Sequence, residues 1–298
     1  MMAAIMEKTK LFMDTVVSIQ VVTRKSKNES EAAIDRAFEA FRKVEHACSR
    51  FSLDSELMEA CGQIQTTIPV SPFLFEPLKF ALEVAKWTNG IFDPTVGKAM
   101  EDHGFNQHYL TGKAIQSSSS ISATYQDIVL NEQERTLFLQ KPLVIDLGGV
   151  AKGFAIDLAA HELREFEGFV VNAGGDLYAG GVDEKGGKWS IGIQHPEHKE
   201  QIIQTVEISN EAVCTSGSYE RKSALKNGVH HIIDPRSKQS PNEWISCSVI
   251  APYAMMADAF STASFLLGLD RGRTIIEQLD LRGILITSDL QIYRVGSI

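Results

Sequence analysis

The stretch from Tyr253 to Leu267, YAMMADAFSTASFLL, constrains the fold more than any other part of the chain. At about 100° per residue, Met256, Phe260, Ala263 and Leu267 fall on one helical face. Met255, Ala259 and Leu266 widen that face, and Ala257 and Phe265 leave little polar surface elsewhere. A helix apolar on nearly all sides must be covered on nearly all sides, so layers of structure have to surround it. The same helix carries Asp258 and Thr262, four residues apart and therefore on one side. A carboxylate in such a place is costly unless it is paired, hydrogen-bonded or bound to a metal. Two readings stay open. One is a hard-cation site of the Mg²⁺ kind, in which waters and phosphate oxygens complete the ligand set. The other is a carboxylate paired with an arginine or capping a nearby backbone.

The rest of the chain supplies the covering layers. With 298 residues and 44% hydrophobic content there is enough apolar material for one large domain or two closely packed lobes. No internal repeat or linker divides it, so residues 1–298 are read as one unit. Residues Asp14 to Thr23 read as a strand, and Ser30 to Phe51 as a helix with Ala33, Ala37, Phe41 and Val44 at helical spacing. A second helix runs from about Pro72 to the Asn89-Gly90 stop, and a turn follows at Asp93-Pro94. Residues 112–123 form a serine-rich loop. The run DIVLNEQERTLFLQKPLVIDL reads as strand, turn, strand, strand, and a helix starts at Lys152. FVVNAGGDLYAGG reads as two strands around a glycine turn, with further strand material in KWSIGIQHP and QTVEISNEAVCTSG. VHHIIDPRSKQSP reads as a strand entering a proline turn, Gly268 closes the apolar helix, and GILITSDLQIYRVGS reads as a hairpin. Strands and helices mix without a regular βαβ alternation, which predicts an α+β fold with largely antiparallel sheet.

The net charge of -9 argues against non-specific nucleic-acid binding. An anionic ligand would then need a local positive site or a bound cation. The cysteines, Cys48, Cys61, Cys214 and Cys247, form no C-x-x-C pair, so reduced thiols in a cytoplasmic protein are expected. The N-terminal residues lack a basic start followed by a continuous apolar core, and no run is long enough to span a membrane.

Other segments carry candidate chemistry. In LVIDLGGVAKGFAIDLAA, from Leu143 to Ala160, an apolar run ends in Asp146, and a glycine pair, Lys152 and a helix follow. The order of glycines and lysine matches neither a P-loop nor a dinucleotide-binding fingerprint. Glycines beside a helix start still suit an anion, and a tight turn with a surface lysine is the alternative. Asp176 sits in a second glycine-rich turn. Thr215, Ser216 and Ser218 surround Gly217 in a segment suited either to a polar ligand or to an ordinary turn. His231 precedes Asp234-Pro235 and is either a structural strand-end histidine or a general base.

Taken in order, MDTVVSI, FDPTVGKAM, IDLGGVAKGFAID, VNAGGDLYAGG, AVCTSGSYER, HHIIDP and ADAFSTASFLLG resemble the ApbE family, the FAD:protein FMN transferases once called thiamine biosynthesis lipoproteins. The resemblance runs from about Leu11 to Tyr293. It implies an α+β, T-fold-like architecture with FAD held between lobes. It implies Mg²⁺ bound by the Asp258 carboxylate, the Thr262 hydroxyl and the Ala151 backbone carbonyl. It places Met13, Phe92, Asp93, Gly149, Lys152, Asp176, Thr215 and Ser218 near the flavin or its adenosine. His231 becomes the expected base alongside catalytic Asp258, and Asp146 and Asp157 the expected local ion-pair partners. The implied reaction moves FMN from FAD to a Ser or Thr hydroxyl of an acceptor flavoprotein and releases AMP. A Mg²⁺-dependent FAD pyrophosphatase and a non-catalytic FAD carrier are the alternatives, and a homodimer is left open. The sequence departs from the family pattern at Asp14, where glycine is usual, and at Ser218, where aspartate is common. The family's typical lipoprotein leader is absent, which implies an intracellular version or removal of the leader.

Overall fold

The computed structural model describes residues 4–108, 111–223 and 225–298. Alternation of β-branched residues makes Thr15–Thr23 a strand, β2, with Val17, Ile19 and Val21 fully buried. It pairs antiparallel with β1 (Ala4–Phe12), a strand the sequence reading did not anticipate, through a two-residue turn at Met13 and Asp14. Both turn residues have positive φ, 51° and 62°. The right-handed twist of a hairpin requires this, and it explains why glycine suits position 14.

A capping box of Ser26 and Glu29 starts α1 (Lys27–Cys48), which buries Ile34, Ala37, Phe38, Phe41 and Val44. The short α2 (Glu56–Cys61) and β3 (Ile68–Pro69) lead to α3 (Pro72–Trp87), with proline in its first turn. It ends where Asn89 and Gly90 take positive φ. A 3-10 turn at Pro94–Val96 and α4 (Gly97–Asp102) replace the simple Asp93-Pro94 turn expected. Then come β4 (Ile128–Asn131), β5 (Thr136–Leu139), α5 (Ala151–Glu162), β6 (Gly168–Ala173), β7 (Asp176–Gly181), β8 (Trp189–Gln194), β9 (Ile202–Ile208), β10 (Glu211–Gly217), β11 (Trp244–Ala251), α6 (Ala254–Gln278), β12 (Arg282–Thr287) and β13 (Ile292–Val295).

The main sheet has the order β1-β2-β6-β7-β10-β11-β12-β13, antiparallel throughout. One face packs on α1, α5 and α6 over the principal core. A smaller apolar cluster under the β8–β9 pair, containing Trp189, Val206 and Ile208, covers the other face. The apolar helix α6 lies against β10 and β11 and against α5 and α3, as its composition demanded. Phe260 and Phe265 are fully buried, each contributing roughly 1.5–3 kcal/mol. The helix breaks at Gly268, where φ is 77°, and continues to Gln278. The fold is thus the α+β, antiparallel type expected.

Two expected strands do not form. Residues 141–147 join no sheet, although Leu143, Val144 and Ile145 are buried. Pro142 has no amide to donate, and the segment's polar groups instead meet loops: the Ser120 amide donates to the Pro142 carbonyl, and the Asp146 amide to that of Pro94. Residues 229–234 likewise make only isolated bridges, His230 with Lys222 and Asp234 with Gln239.

Candidate active site

A cavity of about 470 Å³ opens where the β1–β2 turn, the segment from Phe92 to Met100, the start of α5, the end of β10 and the middle of α6 meet. That size suits a small-molecule site. Met13, Phe92, Asp93, Gly149, Ala151, Lys152, Asp176, Thr215, His231, Asp258 and Thr262 all line it. Ser218, expected near the flavin, does not. Past the end of β10 its amide donates to the Ile245 carbonyl at 3.1 Å, and its hydroxyl donates weakly to the same oxygen. Ser216 faces the cavity instead.

Asp258 is buried, and its Oδ2 accepts a hydrogen bond from the Gly153 amide at 3.1 Å. Burial raises its pKa, opposed by the charge of Lys152 and by that hydrogen bond. One turn on, the Thr262 hydroxyl lies 2.9 Å from the Ser216 hydroxyl, which is also 2.9 Å from that of Ser261. A Cβ added at Gly149 would come within 3.1 Å of the Phe92 ring and 3.4 Å of Thr262 Oγ1, so glycine there keeps the approach to α6 open.

The cationic side chains of the lining are each held by a carboxylate. Lys152 pairs with Asp176, whose other oxygen accepts from the Thr215 amide at 2.7 Å. Arg50 pairs with Asp146 in near-complete burial. Burial alone would raise the Asp146 pKa, but the adjacent guanidinium of Arg50 brings it below the ordinary value. Arg221 reaches Asp14 at 3.7 Å between two half-exposed side chains. Asp93 accepts from the Thr95 amide and hydroxyl, both at 2.8 Å, and from the Tyr125 amide at 3.1 Å. It shapes the wall as a cap, and burial raises its pKa.

The His231 amide donates to the Arg221 carbonyl at 3.1 Å. Its Nδ1 is shielded without a hydrogen-bond partner, and so is Nη1 of Arg50. Burial, with the nearby charge of Arg221, brings the His231 pKa down to about 3, so the ring is neutral at ordinary pH. Asp157, expected in an ion pair, makes none at contact distance among the described residues. It accepts instead from the Ala254 and Met255 amides at 2.7 and 2.9 Å.

The donor set fits a hard divalent ion. Asp258, Thr262 and the Ala151 carbonyl supply oxygen only. Among the described residues no cluster of three His, Cys, Asp or Glu exists to make a closed zinc-type site. Carboxylates in the lining (Asp14, Glu45, Asp93, Asp146, Asp176, Glu220 and Asp258) also outnumber the cations Arg50, Lys152 and Arg221. A ligand bearing phosphate groups is therefore best accommodated together with a metal ion.

Sequence reasoning missed Arg50, Glu45 and Arg221 as parts of the wall. Arg50 and Glu45 lie beyond and within a helix whose apolar face drew the attention, and nothing local marks either as facing a cavity. The Glu45 carboxylate accepts from the Met13 amide at 2.7 Å and so fixes the β1–β2 turn over the opening.

A profile of the ApbE family matches residues 13–285. The chain is 31% identical over 256 residues to the FAD:protein FMN transferase of Escherichia coli K12, covering 81% of this chain and 72% of that one. It is 29% identical over 285 residues to the enzyme of the same name in Haemophilus influenzae, covering 90% and 80%. The crystal structure of the ApbE protein of Thermotoga maritima superposes with a TM-score of 0.87 at 26% identity, over 98% of this chain and 97% of that one. The flavin transferase ApbE of Vibrio cholerae shares the fold, with a TM-score of 0.83 at 23% identity over 99% and 98% of the two chains. From the β1–β2 turn to β12, this chain belongs to the ApbE family.

Proposed function

We propose that the protein transfers FMN from FAD to a Ser or Thr hydroxyl of an acceptor flavoprotein. The observation that carries this reading is the gathering of Asp258, Thr262, Ala151, Lys152 and His231 on one cavity, in a chain 31% identical to a FAD:protein FMN transferase. The acceptor oxygen attacks the phosphorus on the FMN side of the pyrophosphate. The bond from that phosphorus to the bridging oxygen breaks, AMP leaves, and a phosphoester joins FMN to the acceptor. The Ala151 carbonyl, Asp258 and Thr262 would hold Mg²⁺, which when bound supplies charge neutralisation at the pyrophosphate.

The protein's own groups do the rest. The glycine turn at Gly148-Gly149 lets the ligand approach the backbone. Lys152, held by Asp176, places a positive charge beside the phosphates. The His231 ring would accept the hydroxyl proton, with the negative charge of bound phosphates restoring the basicity that burial lowers.

Incubation with FAD, Mg²⁺ and an acceptor domain, followed by intact-mass measurement, tests the proposal. A mass gain of one FMN unit with release of AMP is expected. Free FMN and AMP with an unmodified acceptor would make the protein a FAD pyrophosphatase. No consumption of FAD would make it a carrier.

A further inference from the structure

Neither of the helices that supply the proposed metal ligands caps its own N-terminus. The N-cap residue of α5 is Val150, which has no side-chain acceptor, and Tyr253 before α6 makes no capping bond. The free amides at a helix start need partners. Here each helix takes its partner from the other. Asp258 of α6 accepts from Gly153, the third residue of α5. Asp157 of α5 accepts from Ala254 and Met255, the first two residues of α6. Gly153 and Asp157 are four apart and so share the side of α5 that meets α6. The helices touch closely at this point: a Cβ on Gly153 would lie 2.4 Å from the Ala254 carbonyl oxygen.

We propose that Asp157 is a positioning residue for the metal-ligand set, fixing the start of α6, and with it Asp258 and Thr262, relative to the Ala151 carbonyl at the start of α5. This rests on the ligand assignment made above. The capping pair is the shortest hydrogen-bonded link between the two helices, and Asp258 lies one turn beyond the capped amides. A shift of α6 along or about its axis would move Asp258 and Thr262 together while Ala151 stayed with α5. Outer partners that orient metal ligands typically matter by about 10- to 100-fold in metal affinity.

A simple stabilising cap would have the same contacts, so the test separates stability from metal affinity. Mn²⁺ binding to the protein with FAD present and no acceptor, followed by electron paramagnetic resonance, reads the metal site without transfer. Asp157→Asn keeps one acceptor oxygen but sets an amide group against the second N–H. It is expected to lower the melting temperature and to weaken Mn²⁺ binding about tenfold. Adding Tyr253→Ser gives α6 a local cap. The double variant is expected to regain stability while Mn²⁺ binding stays weak. Wild-type Mn²⁺ affinity in either variant overturns the proposal and leaves Asp157 a cap alone. Asp157→Glu, which keeps both acceptor oxygens on a longer arm, covers a failure of the amide variants to fold. Weaker Mn²⁺ binding in it supports the proposal and unchanged binding overturns it. If the wild-type protein itself binds no Mn²⁺, with or without FAD, the ligand assignment falls, and the positioning role falls with it.

Discussion

Among the described residues Asp258 has no cationic partner at ion-pair distance, and its carboxylate accepts a hydrogen bond from the Gly153 amide. Both readings of the sequence therefore describe it: it caps a backbone, and it presents a carboxylate to a cavity. An amide oxygen can still accept from Gly153, so Asp258→Asn should fold and melt at or above the wild-type temperature, since an incompletely compensated buried charge is removed. It should lose transferase activity at ordinary Mg²⁺ concentration. The thermal shift on adding Mg²⁺ with FAD should shrink, and less so for Thr262→Val, as calorimetry would show. His231→Ala should slow transfer by about 10² to 10⁴ while FAD binding persists; unaltered single-turnover rates would assign the ring to structure. Asp258 and Thr262 were legible because helical spacing puts them on one side of an apolar helix. Ser218 falls outside the cavity lining because β10 ends at Gly217, and a short run of Ser, Gly and Ser does not reveal where a strand ends.

At the scale of elements, the β1–β2 turn decides how the cavity is covered. Its Asp14 has a left-handed backbone and a weak, half-exposed link to Arg221. Such links contribute at most about 1 kcal/mol, and glycine adopts this backbone without steric cost. Asp14→Gly should therefore melt within a few degrees of the wild type. Asp14→Val should lose roughly 1–2 kcal/mol, because a branched Cβ crowds the carbonyl in that region; denaturant titration distinguishes the two. The long helices α1, α3, α5 and the first part of α6 were readable from caps and periodicity, whereas the expected stop at Gly268 is only a break and the short α2 and α4 went unread. The buried run of residues 143–145 read as a strand because a short apolar segment looks the same whether a sheet or a set of loops receives it. Only long-range partners decide, and they lie at Ser120 and Pro94.

For the whole molecule, the absence of βαβ alternation revealed the fold class, whereas the sheet order did not follow from the sequence. β2 pairs with β6, and β7 with β10, across long intervening segments, and no local pattern encodes such choices. Stability should also respond to acid as a property of the assembled core. His231 titrates at about 3 when folded, against 6.5 as its ordinary value, and burial lowers His230 as well. The unfolded chain therefore takes up these protons first, and their contribution is full above pH 6.5 and lost as pH falls toward 3. Asp157, raised to about 6 by burial, acts oppositely: its contribution is greatest below 3.8 and declines as pH rises to 6. As pH falls through 6.5 the histidine effect sets in first. The melting temperature should begin to fall there, and His231→Gln should flatten that slope.

The pairing of Lys152 with Asp176, Arg50 with Asp146 and Arg221 with Asp14 means that the cavity carries its own counter-ions. A nucleotide arriving alone meets positive charge that is already committed, and a divalent ion arriving alone meets few donors. Each would improve the site for the other, and thermodynamic linkage makes that help equal in both directions. AMP and inorganic pyrophosphate without metal should accordingly bind poorly, and Mg²⁺ should bind far more tightly with FAD than without it. The same reciprocity works in reverse after transfer. Once the pyrophosphate link is cut, AMP alone offers the metal fewer phosphate oxygens, so the mutual strengthening shrinks and both ligands leave more easily than FAD and metal would together.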